Sequence, residues 1–498
     1  MLSLISYSLF GQDETDVLRL SRYIPGGTAR FIGMNGAFGA LGADMSSLSI
    51  NPAGIGVYRV SEFTITPTYN FDNSTSSFYS KSYTDNKVKF NLSNIGYVYT
   101  FNTQKEEGWV SASFGIAYNR MADFNKNITI NSNNPKSSLL DRFILDANSS
   151  NQLSSSFAGL AYDSYALFKG PIPGKTGDYY LNDFKALREP SSNKAKYGQP
   201  MERTITTKGG VGEYAFSFGS NYSNKFYLGA TIGIQNVDYE EIKDHTESDL
   251  QGSELSGFNF TSNFNMKGTG YNVKLGAIYK PVDMIRLGLA FHSPTYFKLS
   301  SDFYTTMTTD FYRYPWDDSQ KRVHIPLQSD VFSNKYNITN PMKIIGSVAF
   351  QIQQFGLVSV DYEYIDYTKG KIRADNDSYS DINDIIQSEY KSTGNLKLGG
   401  ELKLGDFAIR AGYGLYGNPY KSAVDQYNKD AKTFSYSTGF GYRGKSMFFD
   451  LGYMMIDSKY KENLYYYEDQ ANNATITPET SDIHSKFSRF VATIGFRF

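Results

Sequence analysis

"LSINPAGIGVYRVSEFTITPTYNF", Leu48 to Phe71, joins two textures. Up to Tyr58 it is small, Gly-rich and broken by Pro52. From Glu62 on, the polar residues Glu62, Thr64, Thr66, Thr68 and Asn70 alternate with Phe63, Ile65, Pro67, Tyr69 and Phe71. A period of two describes a strand with one apolar and one polar face. The fold follows from the solvent that the apolar face meets. In a soluble sandwich that face is the core; in a membrane barrel it meets lipid and the polar face lines the lumen.

The pattern recurs to the last residue. Val110, Ala112, Phe114, Ile116 and Tyr118 alternate with Ser111, Ser113, Gly115, Ala117 and Asn119. "NLKLGGELKLGD" sets Leu396, Leu398, Leu402 and Leu404 against Lys397, Glu401 and Lys403. "FAIRAGYGLY" sets Phe407, Ile409, Ala411 and Tyr413 against Arg410 and glycines, and "RFVATIGFRF" ends the chain on Phe498. Full charges flanked by glycines suit a crowded lumen. Segments of about ten residues suit a tilted membrane strand. A terminal amphipathic strand ending in Phe resembles the signal read by barrel-assembly machinery. These features select the membrane barrel.

Fourteen segments qualify, at about 61–72, 88–101, 108–121, 208–220, 225–238, 257–279, 284–300, 340–353, 355–368, 391–405, 406–416, 432–443, 446–459 and 485–498. An even number is what a single-chain bacterial barrel uses. Short turn-rich links such as "KPVD" and "NYSNK" alternate with long polar stretches at 122–207, 301–339, 369–390, 417–431 and 460–484. Short turns on one side and long loops on the other are the outer-membrane asymmetry. Within the longest loop, "SSLLDRFILDANSS" and "SSSFAGLAYDSYALF" read as short amphipathic helices that serines could cap. The fold class is an all-β, fourteen-stranded antiparallel transmembrane barrel in the outer membrane of a Gram-negative bacterium.

Composition agrees. The 498 residues include 41 Tyr and 36 Phe but 2 Trp. Tyrosine hydroxyls want water or a partner, which the aromatic girdles of an outer-membrane barrel provide. No stretch approaches the ~20 apolar residues of a membrane helix. Net charge is -1, with no basic patch for nucleic acid. Cysteine is absent, which removes disulfides and thiolate chemistry. His245, His292, His324 and His484 lack metal-ligand spacing. Residues 1–11 read as the tail of a secretory signal peptide without its basic start. No serine lies in G-x-S-x-G, and His292 and Ser293 point to opposite faces of one strand. "DNDSYSDIND" at 375–384 lacks the Gly and Glu of a calcium loop and reads as solvated. An enzyme is therefore not expected, nor are a cofactor, haem or a metal.

Residues 20–58 do not alternate, and the segment 12–58 precedes a barrel of 59–498, so it can lie inside it. Small residues let a backbone pack against lumen walls. Pro52 forces a turn at Asn51, and Gly54 and Gly56 are expected to supply the conformational freedom for the reversal into the wall. The segment reads as a plug. At this point the chain resembles the FadL family of outer-membrane transporters for long-chain fatty acids and other hydrophobic compounds. The resemblance rests on "ARFIGMNGAFGALGADMSSLSINPAG" (29–54), similar to that family's N-terminal hatch, with weaker matches at 285–303, 340–351 and 408–420. It implies a fourteen-stranded barrel, a hydrophobic ligand taken from outside, a moving hatch and sideways release into the bilayer through a gap in the wall. It implies a gating role for Asn51, Pro52, Ala53 and Gly54. Candidate ligand contacts are Phe31, Met34 and Phe38 of the hatch and Phe143, Ile144, Phe157 and Leu160 of the loop helices. The partners implied are membrane lipid and a hydrophobic small molecule. The chain departs from the family in its longer, Tyr-, Asp- and Asn-rich loops. The family also includes accessory barrels of secretion or assembly complexes, so docking of a protein partner through loops or wall is the alternative function.

Overall fold

The computed structural model describes all residues except 1–12, 134, 150–151, 172–175, 183–197, 249–253, 313–322, 376–377, 422–427 and 470–474. The expected signal remnant, 1–11, thus lies outside the described residues. The wall is a closed barrel of fourteen strands. They are β1 (Glu62–Phe78), β2 (Lys81–Asn102), β3 (Trp109–Asp123, continued by Lys126–Ser132), β4 (Met201–Tyr222), β5 (Phe226–Ser248), β6 (Leu255–Val282) and β7 (Ile285–His292 and Tyr296–Phe311). There follow β8 (Phe332–Thr339 and Lys343–Ile352), β9 (Gly356–Asp366), β10 (Ser392–Leu404), β11 (Phe407–Tyr416), β12 (Lys432–Arg443), β13 (Met447–Asp469) and β14 (Thr475–Arg497). Each pairs antiparallel with the next, and β1 pairs with β14 to close the ring. Closure pairs the two outer edges of the sheet with each other. Each of the fourteen expected segments falls on one strand.

Alternation sorts the faces as lipid and lumen demand. Phe114, Leu287, Leu289, Phe407, Ile409 and Phe496 are exposed on the outside, while Lys397, Glu401 and Arg410 are buried in the lumen. Together the exposed aromatics and aliphatics form the apolar belt that an outer-membrane barrel turns to the bilayer.

Strand lengths differ from expectation. β1 and β2 run 17 and 22 residues and meet at a tight turn, where Tyr79 has φ +50°. The expected loop at 460–484 is largely paired β13 and β14, and in 301–339 the end of β7 pairs with a short strand, Val323–Gln328, and its middle with Phe332–Thr339 of β8. The loop expected at 122–207 is shorter, because Lys126–Ser132 pairs with Met201–Thr207. Above the lipid the outer face carries polar residues too, so the apolar–polar alternation fades while cross-strand polar pairs persist. Asn73–Asn86 (2.8 Å), Thr75–Thr84 (2.9 Å) and Ser77–Ser82 (2.9 Å) are such pairs.

Inside the wall lies an N-terminal segment of short helices: α1 (Glu14–Arg19), α2 (Ala29–Gly33), α3 (Ser47–Ile50) and a 3₁₀ turn, Pro52–Val57. At the extracellular end, α4 (Leu139–Ser149) and α5 (Ala158–Asp163) sit across the barrel mouth. The serine caps expected for both occur at one. Ser138 Oγ accepts from Leu140 N (3.1 Å) while Ser138 N donates to Asp141 (3.2 Å), a reciprocal capping box. α5 has no side-chain cap and starts from a backbone turn at Ser154. Leu139, Leu140, Phe143, Ile144 and Leu160 are buried against strand tips, including Phe258, Phe260, Met307 and Leu464. A further helix, α6 (Ser380–Glu389), lies between β9 and β10.

Candidate functional site

The N-terminal segment touches every strand of the wall. Gly27 N donates to Ser93 Oγ of β2 (2.8 Å), Gly26 N to Arg120 O of β3 (2.7 Å) and Ala29 N to Thr493 Oγ1 of β14 (2.7 Å). Gly39 N donates to Asp361 of β9 (2.8 Å), Ser437 Oγ of β12 donates to Gly33 O (3.1 Å), and Thr231 Oγ1 of β5 donates to Leu48 O (2.9 Å). His292 Nε2 of β7 meets Ile50 O at 2.7 Å, and Tyr58 OH donates to Glu62 of β1 (3.3 Å). The remaining strands approach through small residues. A Cβ on Gly399, Gly412 or Gly452 would stand within 3.0 Å of segment atoms, and Gly115 and Gly219 meet Ile55 in the same way. Alternating glycines in the strands are therefore space for the plug.

The Asn-Pro-Ala-Gly motif lies in the middle of this packing. Asn51 is buried; its Nδ2 donates to Gly39 O (2.6 Å) and to Ala277 O of β6 (3.3 Å), and its Oδ1 accepts from Ala53 N (3.1 Å). It thus caps the 3₁₀ turn and ties it both to the segment and to the wall. Pro52 is the first residue of that turn, where its missing N–H costs nothing. Ala53 is fully buried. Gly54 and Gly56 correct one expectation: neither has a positive φ. Gly54 is small because Gly42 and Ser47 pack against it, and Gly56 because the Ser220 backbone does. The left-handed positions of the segment are Asn35 (φ +55°), Gly36 (φ +72°), Gly42 (φ +71°) and Ala43 (φ +49°).

An ion-pair chain pins α2. Arg30 reaches Glu401 of β10 with Nε (3.0 Å) and a second nitrogen (3.2 Å). Arg410 joins the same carboxylate (2.6 Å) to Asp450 (2.7 Å), which also holds Arg443 (2.7 Å). Breaking such a buried pair from one side costs about 3–5 kcal/mol, because the other charge is stranded.

Above the plug the lumen opens into a chamber of about 1140 Å³. Residues of α1 and the following turn line it from below, and Leu139, Arg142 and Phe157 from above. Its lining mixes apolar groups with charge, among them Arg203, Glu241, Lys243 and Arg489. Asp16 is buried at the floor beside Arg19, and burial pushes its carboxyl up to about 7 despite that cation. Arg19 in turn stacks over Tyr239 at 4.1 Å. Among the described residues no group of His, Asp and Glu has the arrangement of a metal site.

Beside the chamber the wall parts. β2 pairs with β3 from Asn94 to Asn102 and no further up. β3 bulges between Arg120 and Ala122, and its continuation, Lys126–Ser132, pairs with β4. Side chains lace the parting: Asn91 and Asn70 both donate to Asp123 (2.8 and 3.0 Å), and Thr129 N donates to Asp85 (2.6 Å). The backbone of Gly26 and Gly27 lies behind it, bonded to Arg120 and Ser93.

The expected ligand residues fall in two places. Phe31, Met34 and Phe38 are buried together in the plug, in one apolar cluster with Met454, Ile456 and Val491 of the wall. Phe143, Ile144 and Leu160 are buried in the roof, and of the seven only Phe157 lines the chamber. Phe143 and Phe157 stack edge-on at 4.4 Å. The sequence reading missed Gly26, Gly27 and Ser93 at the parting and the charged lining of the chamber. Its one signal was the polar face of strands such as β14.

No protein-family model and no curated protein sequence matches the chain. Solved structures do. A Pseudomonas aeruginosa FadL homologue is 13% identical with a TM-score of 0.54, covering 96% of this chain and 100% of its own. The P. putida toluene transporter TodX is 12% identical with a TM-score of 0.53, covering 95% and 99%. The Ralstonia pickettii toluene transporter TbuX is 14% identical with a TM-score of 0.50, covering 95% and 99%. At such identities the likeness is one of fold, and it spans nearly the whole of each chain. With its closed wall, apolar belt and inserted N-terminal segment, the protein is an outer-membrane barrel of the FadL-type fold.

Proposed function

We propose that the protein carries hydrophobic, fatty-acid-like molecules across the outer membrane by passive, ligand-gated diffusion, with residues 12–58 as the hatch and 59–498 as the barrel. The observation that supports this most is the chamber of about 1140 Å³ beside the parting of β2 and β3. An empty, partly apolar space next to a break in the wall suits a molecule that enters from outside and leaves sideways into lipid. Phe157 meets the ligand directly, with Phe143, Ile144 and Leu160 behind it and Phe31, Met34 and Phe38 in the hatch below.

Gating has a modest energetic threshold. The two backbone bonds of Gly26 and Gly27 contribute ~0.5–1.5 kcal/mol each. Burial of ~100 Å² of ligand apolar surface contributes ~2.5 kcal/mol. A ligand that touches the released segment better than the docked one can therefore shift it, and only by that difference. The test is transfer of a fluorescent fatty acid into protein-containing vesicles. Transfer faster than in protein-free vesicles is expected; equal rates contradict the proposal.

A further inference from the structure

The upper half of β2 is paired on one side only. It pairs with β1 from Lys81 down, but β3 joins it no higher than Asn94. In an antiparallel ladder every second residue turns its N–H and C=O away from the first partner. Among the described residues no backbone group meets that outer edge between Lys81 and Leu92. The continuation of β3, Lys126–Ser132, does not fill the place. Its Thr129 lies over the inner row of β1 and β2, donating to Asp85 and accepting from Ser76 Oγ. A lipid-spanning strand needs about 9–11 residues. Counted up from Asn102 these end near Asn91–Asn94, so Lys81–Phe90 stands beyond the bilayer. Both rows of this stretch are open: Tyr83 and Lys89 of the inner row are exposed, as are Thr84, Asn86, Val88 and Phe90 of the outer. On the neighbouring β1 the inner row is buried from Glu62 to Phe78.

The inner row of this edge carries Lys81, Lys87 and Lys89, and none of them pairs with a carboxylate among the described residues. Its one acid, Asp85, already accepts from Thr129. The outer row passes from Thr84 and Asn86 down to Val88 and Phe90, which are 45% and 68% exposed. An unpaired edge is a template for another strand, and the charge on this one selects which. A second copy of β2 would bring lysine to lysine, which is unfavourable. We infer that the upper edge of β2 is a docking site for a partner protein, which adds an extended segment of alternating acidic and apolar residues as an antiparallel strand. Its acidic residues face Lys87 and Lys89, and its apolar residues continue the row of Val88 and Phe90. The backbone ladder supplies attachment and the lysines supply selectivity.

Three fluorescent octapeptides are titrated by anisotropy into the full-length protein in a non-ionic detergent, with no transport ligand present, so the outcome is independent of transport. One repeats Glu-Val, one repeats Lys-Val, and the third is the Glu-Val peptide with N-methylated backbone amides. The third keeps charge and apolar residues but cannot donate to a ladder. The Glu-Val peptide is expected to bind about tenfold or more tighter than the Lys-Val peptide, and methylation to abolish its binding. In the double variant Lys87→Glu, Lys89→Glu the order of the Glu-Val and Lys-Val peptides is expected to reverse, which a misfolded barrel would not produce. No binding of the Glu-Val peptide by the parent, equal binding of the Glu-Val and Lys-Val peptides, an unchanged order in the double variant, or undiminished binding of the methylated peptide overturns strand addition at β2.

Discussion

Asn51 shows how one side chain can hold a plug. It bonds the segment to itself at Gly39 and Ala53 and to β6 at Ala277. Each bond contributes ~0.5–1.5 kcal/mol, so Asn51→Ala changes the docked-to-released ratio several-fold or more. With Pro52→Gly added, the wall strands are untouched, and a folded barrel that passes small solutes faster is expected in a liposome-swelling assay. Swelling no faster than the parent, with normal transport, would mean that the segment is fixed. On the outer face, Phe114 is 49% exposed in the middle of β3. Phe114→Arg should lower stability by ~2–4 kcal/mol if the side chain lies near the bilayer midplane, read from urea unfolding in lipid vesicles. No loss would place this face away from lipid.

Elements divide into those that periodicity reveals and those that it cannot. Across the lipid, one face is dry and the other wet, so β10 and β11 are legible from "LKLGGELKL" and "FAIRAGYGLY". Above the lipid the upper halves of β1, β2, β13 and β14 mix polar residues into the outer face, and they read as loops although the hydrogen-bond ladder continues. The motif 51–54 was legible as a turn, but the reason for Gly54 and Gly56 lay in distant partners, Gly42 and Ser220. The chamber was illegible for the same reason, since Arg489, Arg203 and Glu241 come from three separate strands. α1 carries a prediction of its own. Burial raises Asp16 to about 7, and burial together with Asp13 raises Glu14 to about 8. The docked helix thus holds protons that the released one gives up in the ordinary carboxylate range. Docking is fully favourable below that range and weakens as pH rises through 7 to 8. Arg19, Glu241 and Glu389 are the other charges facing these acids. Hydrogen exchange at residues 14–20, corrected for intrinsic rates, should show less protection at the higher pH; equal protection would mean that the acids are ionised in place.

At the scale of the whole molecule, a rigid closed wall carries two inserted pieces, a roof from the long loop and a plug from the N-terminus, with a chamber between them. At the chamber's side, where β2 and β3 part, the plug stands behind the opening with the Gly26–Gly27 backbone. If this backbone is the gate, fixing it in place must stop transport without harming the barrel. The chain has no cysteine, so a single engineered disulfide can be placed without interference. A Cβ on Gly26 would stand 2.7 Å from Ser93 Oγ, close enough for Gly26→Cys and Ser93→Cys to bridge. Transfer of a fluorescent fatty acid through the double variant is measured oxidised and again after reduction. Transfer is expected to cease in the oxidised protein and return on reduction; undiminished transfer with the disulfide formed would contradict gating at this parting.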